Sequence, residues 1–264
     1  MRLLSLLAYL FLVTLVTSCS GSTEDKATEP EPGSDYTSSG LTVSNLQDAQ
    51  HYKVLFFGNS HVGKLPLFIS QLIESGLPHK SLTTKGTPNA LYLDERLHDT
   101  ASLEALESEQ WTHVIFQAQK YSQSGTVEHS THAAKVWITR AKQIKATPIL
   151  FPEHPQAGDI DEGIRVYELH QTISADEPSC VAPIGHVWKK ILTLRPELSL
   201  YEADGNHANT QGQLLTSMIF YEIITGESAD LLPFISEIEV DIDTQALMGQ
   251  MVSEILTEMP ACEF

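Results

Sequence analysis

The chain has 264 residues and a formal net charge of −18, with 34 Asp and Glu against 16 Lys and Arg. Such a surface repels phosphate backbones and anionic headgroups, so nucleic acid is set aside as a partner and the acidity reads as solubility. Hydrophobic residues at 42% and charged residues at 19% describe one globular body, neither disordered nor largely embedded in a membrane.

The N-terminus opens with Met1-Arg2, continues through an apolar run over residues 3–16 and closes on Thr17-Ser18-Cys19. A positive start, a short apolar stretch and a small-residue cleavage region predict a secretory signal. The run falls short of the ~20 apolar residues that a spanning helix needs. Val16-Thr17-Ser18-Cys19 resembles the lipobox of bacterial lipoproteins, which implies cleavage before Cys19 and lipidation of its thiol. Ser20 follows the cysteine in place of Asp, which implies outer-membrane sorting in a cell with two membranes. The expected layout is a signal peptide over 1–18, the lipidated cysteine and a tether over 19–50, and a domain over 51–264. Residues 20–40, rich in Ser, Thr, Glu, Pro and Gly, hold little to bury and suit a solvated tether. Cys180 and Cys262 remain, and in an oxidising compartment they could pair. Spacing alone does not place their Cα atoms within the ~7 Å required.

From Tyr52 the pattern changes. Lys53-Val54-Leu55-Phe56-Phe57, an apolar run ending at Gly58, predicts a buried parallel-type strand. Leu65, Phe68, Ile69, Leu72 and Ile73 have helical spacing, and the helix is expected to stop at Gly76. Residues 81–84 predict a second strand closed by Gly86, 102–109 a short helix, and 113–116 a third strand. A long helix is expected over 128–145, with Ala133, Val136, Trp137, Ala141 and Ile144 on one face. A strand over 147–151 follows, then helices over 160–172 and 184–194 around a short strand near 180–182. The last strong helix is expected over 207–225, ending at Gly226, with a C-terminal helix over 245–259. Trp137 and Trp188 are expected in the core and Trp111 at a half-buried edge. Strands alternating with helices of ten or more residues predict a three-layer α/β/α sandwich, flavodoxin-like, on a parallel sheet of about five strands.

Ligand sites in open α/β sheets lie beyond the carboxyl ends of strands. Gly58-Asn59-Ser60-His61-Val62-Gly63-Lys64 stands at such an end. It matches the glycines and lysine of a phosphate-binding loop, but Leu65 takes the place of the Ser or Thr that holds magnesium. No strand ends in a persuasive metal-holding Asp, and that reading is set aside. The other reading makes Ser60 a nucleophile at a strand-to-helix turn, near N–H groups that favour developing negative charge. A Ser at a helix start is also a common cap, so the tripeptide needs a partner.

Asp204-Gly205-Asn206-His207 supplies one, just before the last helix. His207 could take the serine proton and return it to a leaving group, while Asp204 fixes the imidazole tautomer. The plainer alternative is Asp204 as a helix cap and His207 as first-turn filler.

A serine turn after the first strand, paired with D-x-x-H before the last helix, resembles the SGNH (GDSL-like) hydrolases. Gly58-Asn59-Ser60 looks like their block I, with Asn where Asp is commoner, and Asp204 to Asn209 followed by Gly212 looks like block V. Gly86 in Thr84-Lys85-Gly86-Thr87 resembles block II. Block III, usually G-x-N-D, is absent; Gln117-Ala118-Gln119 stands there, similar to a subgroup with Q-x-Q. The resemblance implies a catalytic Ser60, Asp204 and His207. It implies an oxyanion hole of the Ser60 and Gly86 amides and the Gln119 side chain. It also implies a serine esterase that works through an acyl-enzyme and needs no cofactor. Asn59, His61, Gln117 and His154 are candidates to line the substrate pocket. Glu128-His129-x-x-His132 could place two imidazoles on one helix face, but no third ligand is evident, so no metal is expected. Acetyl esters of carbohydrates, lipid esters, thioesters and small esters all stay open as substrates. The rival reading is a catalytically inactive surface lipoprotein that keeps the fold and binds a glycan.

Overall fold

The structure, a computed structural model, describes residues 37–264. The expectations on residues 1–36, including the signal peptide and lipidation at Cys19, lie outside the described residues.

Five strands form one parallel sheet in the order β2-β1-β3-β4-β5. They are β1 (His51–Phe57), β2 (Ser81–Gly86), β3 (His113–Phe116), β4 (Thr147–Leu150) and β5 (Cys180–Val181). Around them run α1 (Leu65–Gly76), α2 (Leu93–Arg96), α3 (Thr100–Glu107), α4 (His132–Gln143), α5 (Glu162–Asp176), α6 (Ile184–Leu194), α7 (Thr210–Thr225) and α8 (Ile242–Glu258). This is the doubly wound order of a flavodoxin-like sheet. Successive side chains on a strand face opposite layers, so Val54 and Phe56 pack with α1, α6, α7 and α8. Leu55 and Phe57 pack on the other side with α3, α4 and α5. Strands covered on both faces are largely apolar, and β3, His-Val-Ile-Phe, is buried at every position, with His113 as its one polar side chain.

Several boundaries depart from the sequence reading for identifiable reasons. The long helix expected from residue 128 begins only at His132. Thr131 precedes it without a side-chain cap, and residues 120–131 form a loop over the sheet edge. A one-turn helix, α2, was not expected; it is closed by a Glu95 carboxylate accepting the Tyr92 N–H at 2.8 Å. The helix expected from residue 207, α7, starts at Thr210, because Asn209 caps it by accepting from the N–H groups of Gln211 and Gly212. Gly226, at φ 73°, ends it in the left-handed conformation. Trp111 is buried rather than half-exposed and donates Nε1–H to the Ala105 carbonyl at 3.1 Å.

Of the stretch expected to be tether, the described residues before β1 pack on the domain at Ser39 and Ser44. Ser39 N–H donates to Glu177 at 2.8 Å, and Thr147 donates its hydroxyl to the Ser44 carbonyl at 2.6 Å. Glu177 and Lys142 form an ion pair with both side chains fully buried. Cys180 and Cys262 are joined by a disulfide that ties β5 to the C-terminal segment, with Cα atoms 4.3 Å apart. Among the described residues no helix is long and apolar enough to cross a membrane.

Candidate active site

The chain passes from β1 to edge strand β2 in one direction and from β3 to β4 in the other. A crevice therefore opens between the carboxyl ends of β1 and β3. Ser60 follows β1 at that point. It opens a 3-10 turn, Ser60–Val62, separate from α1, so the helix N-terminus expected beneath the serine belongs instead to Leu65. The turn is held by short polar contacts. The Asn59 side chain accepts the His61 N–H at 3.1 Å, and the Asn59 N–H donates to Gln117 Oε1 at 2.7 Å. Buried Arg96 donates to the carbonyls of Gly58 and Asn89, both at 2.8 Å, and so fastens this turn to the loop after β2. A Cβ on Gly58 would stand 2.5 Å from both Gln117 Oε1 and Val62 Cγ2, so only glycine fits here.

The exposed Ser60 hydroxyl lies 2.7 Å from His207 Nε2. His207 Nδ1 lies 2.6 Å from Asp204 Oδ2. Asp204 Oδ1 accepts the N–H groups of Asn206 and His207, both at 2.9 Å, so Asp204 caps its own turn and not α7. Gly205, at φ 69°, makes that reversal possible. The bond from His207 and the two backbone donors hold the Asp204 carboxyl well below the usual carboxylate range. Asp204 therefore stays ionised and faces an imidazole whose far nitrogen meets a hydroxyl.

Three aromatic side chains back this row. The His61 ring stacks on His207 with centroids 4.9 Å apart and planes at 20°. Burial, followed by the charge of His207, pushes His61 down to about 4, so it stays a neutral wall that fixes the plane of the His207 ring. Behind it the His154 ring stacks on Trp188 at 4.2 Å. His154 Nε2 donates to the Asn206 carbonyl at 2.9 Å, clamping the turn that carries Asp204 and His207. His154 is buried, and burial pushes it down to about 3.

A cavity of about 590 Å³ opens beside Ser60. Asn59 and His61 line it, as the sequence suggested, and so does Gln119. Gln117 and His154 do not. Gln117 is fully buried as a strut between the Asn59 N–H and the Glu153 carboxylate. Gln119 Nε2 donates to the carbonyls of Lys120 at 2.8 Å and Ser130 at 3.0 Å. Both its hydrogens are thus committed to the 120–131 loop, and the expected oxyanion-donor role of Gln119 is not what this geometry provides. Ala118 sits between the two glutamines at φ 73°, a left-handed conformation costing roughly 1 kcal/mol, with its carbonyl accepting Leu93 N–H at 3.0 Å. Gly86 ends the edge strand, exposed, with nothing within 4 Å of where a Cβ would stand. His129 reaches the cavity, whereas His132 begins α4, so the two share no helix face. Among the described residues, no group of three or more His, Cys, Asp or Glu is arranged to hold a metal ion.

Glu153 was missed by sequence reasoning, although its position after β4 obeys the same strand-end rule that singled out its neighbour His154. Its Oε1 accepts from Gln117 and its Oε2 lies 3.8 Å from His61 Nε2. Burial pushes its carboxyl up to about 7 against the opposing bond from Gln117, with the charge of Glu162 adding to the rise. Tyr121, donating to Glu162 at 3.2 Å, and Gln156, donating to Asn206 at 3.2 Å, complete the polar cavity wall.

No family model and no curated protein matches the chain. Among the solved structures similar to it are two with a TM-score above 0.5. One is a DUF4886 family protein from Bacteroides uniformis, 14% identical, with a TM-score of 0.62, covering 81% of this chain and 97% of that one. The other is a protein from Slackia heliotrinireducens named as a candidate SGNH hydrolase, 19% identical, with a TM-score of 0.51, covering 65% of this chain and 98% of that one. At these identities the likeness speaks to backbone alone, and it establishes an α/β architecture that this chain shares with both proteins.

Proposed function

We propose that this protein is a serine esterase, with Ser60 as nucleophile, His207 as general base and acid, and Asp204 as the orienting carboxylate. The observation that carries the reading is the unbroken row from Ser60 Oγ through His207 to Asp204, at 2.7 and 2.6 Å. Serine is a weak nucleophile unless a neighbouring base removes its proton, and this spacing suits that transfer. Ser60 Oγ attacks an ester carbonyl as its proton passes to His207 Nε2. Asp204 steadies the imidazolium. The backbone amides of Ser60 and Gly86 are the proposed donors to the tetrahedral oxyanion. The proton goes to the departing alkoxide, and water then releases the acid from Ser60 by the reverse path.

Export and lipid anchoring through Cys19 belong to the same proposal. The signal-like N-terminus supports them, as does the Cys180–Cys262 bond, which suits an oxidising compartment. The anchored protein is expected in the membrane fraction, and Cys19→Ser is expected to move it to the soluble fraction. Activity is tested with p-nitrophenyl acetate. The wild-type protein should turn it over, and Ser60→Ala should lose roughly 10³-fold or more in kcat. A wild-type protein no faster than Ser60→Ala would leave the glycan-binding, inactive reading in its place.

A further inference from the structure

We propose that the cavity beside Ser60 is a subsite for a neutral, hydroxyl-rich carrier, so that the bond cleaved joins a short acyl group to a carbohydrate. This rests on the esterase reading and narrows it to a substrate class. The cavity is bounded by the residues flanking both reacting groups. Asn59 and His61 lie on either side of Ser60, and Asn206 precedes His207. Whatever fills it is therefore part of the molecule presented to the serine.

The chemistry of the walls selects the occupant. None of the lining residues is aliphatic. An acyl chain of medium length gains by leaving water only if apolar surface receives it. Here it would lie against amides and carboxyls, stripping them of water without offering a hydrogen bond in return. A sugar ring needs the opposite. Its hydroxyls both donate and accept, and primary amides such as Asn59, Gln156 and Asn206 do the same. Tyr92 and Tyr121 are the aromatic side chains other than histidine that line the wall, and aromatic rings suit the C–H faces of a sugar. Charge argues for a neutral ligand. The Lys120 ammonium is met by Asp94, and the Glu162 carboxylate, which accepts from Tyr121 at the wall, would repel a carboxylate or phosphate. Glu153, held up near neutrality by burial, presents a carboxyl that can be protonated and so can both give and take a hydrogen bond.

The reaction follows with its atoms accounted for. The Ser60 Oγ–carbonyl carbon bond forms, the bond from that carbon to the sugar oxygen breaks, and the sugar oxygen takes the proton held by His207. Water then adds to the acyl carbon as one of its protons passes to His207, the bond from that carbon to Ser60 Oγ breaks, Oγ takes the proton from His207, and acetic acid leaves and ionises to acetate.

The test compares acetylated xylo-oligosaccharides, followed by acetate release, with p-nitrophenyl acetate and p-nitrophenyl octanoate. The acetylated sugar should exceed the octanoate at least tenfold in kcat/KM. Tyr121→Ala and Gln156→Ala should each lower the ratio of sugar ester to p-nitrophenyl acetate at least fivefold, in variants whose circular dichroism and unfolding midpoint match the wild type. Octanoate turned over as well as the sugar, or a ratio unmoved in both variants, overturns the inference. If no ester is cleaved and Ser60 takes no fluorophosphonate, the esterase reading itself has failed. The subsite is then judged by calorimetry of unacetylated xylo-oligosaccharide on the wild-type protein. Saturable binding weakened at least fivefold in Tyr121→Ala supports a glycan site, and no binding overturns it.

Discussion

Glu153→Gln should gain stability relative to the wild type as pH rises through neutrality. The Glu153 side chain is only 13% exposed, and burial raises its carboxyl from an ordinary 4.5 to about 7. In the unfolded chain it loses its proton near its ordinary value; in the folded chain it holds the proton until near pH 7. Between those values the folded state binds more protons, so stability falls as pH rises through that window and levels off above it. The gap of some two and a half pH units corresponds to about 3 kcal/mol at 1.36 kcal/mol per unit. Glutamine keeps an oxygen to accept from Gln117 and has no charge to bury. Urea unfolding of both proteins at pH 5 and pH 8.5 gives four values. The difference of differences cancels every other titrating group and any change in hydrogen bonding common to both pH values. It should favour Glu153→Gln at pH 8.5 by about 3 kcal/mol. Curves that stay parallel across that range would show that Glu153 ionises in the folded protein as it does in water, and the reasoning would be wrong.

Asp204→Asn should lower kcat roughly 10³- to 10⁴-fold with little change in KM, since the amide keeps the turn but presents the wrong partner to the imidazole; a loss under tenfold on p-nitrophenyl acetate would remove Asp204 from the mechanism. Gly185→Ala puts a Cβ 2.3 Å from the Gly163 backbone, where α5 and α6 touch. It should cost about 3 kcal/mol or more in urea unfolding, and a midpoint equal to the wild type would mean the helices separate freely. Reducing the Cys180–Cys262 bond, which closes a loop with a sequence separation of 82, should cost about 4 kcal/mol, read as a lower unfolding midpoint in dithiothreitol.

The elements most legible in the sequence were those whose local pattern and tertiary burial agree. The apolar runs of β1, β3 and β4 and the helical spacing of α1 and α6 lie within a few residues of where they were expected, because a strand buried on both faces leaves little choice of residue. Helix starts were less legible. Glu128 and His129 suit a first turn, yet the 120–131 loop is held down by the Gln119 amide, a contact that no local pattern announces. The meeting of Ser60 with His207 was readable only through a family resemblance, since 147 residues separate them and only the sheet order brings them together. Gln117 and His154 were picked for the right place and given the wrong task. A strand-end position says that a side chain is near the crevice, not whether it points in or braces a turn from behind. Glu153 went unseen because a lone Glu in a proline-flanked loop carries no mark of burial until Tyr121, Gln117 and Glu162 are around it.

The central claim is that Ser60 is made nucleophilic by His207. The most direct measurement is intact-protein mass spectrometry after treatment with a fluorophosphonate, with peptide mapping of the adduct. One adduct on the Ser60 peptide is predicted for the wild type, none for Ser60→Ala, and labelling slowed at least 10³-fold for His207→Ala. Equal labelling of wild type and Ser60→Ala, or an adduct mapped to any other serine, would contradict it.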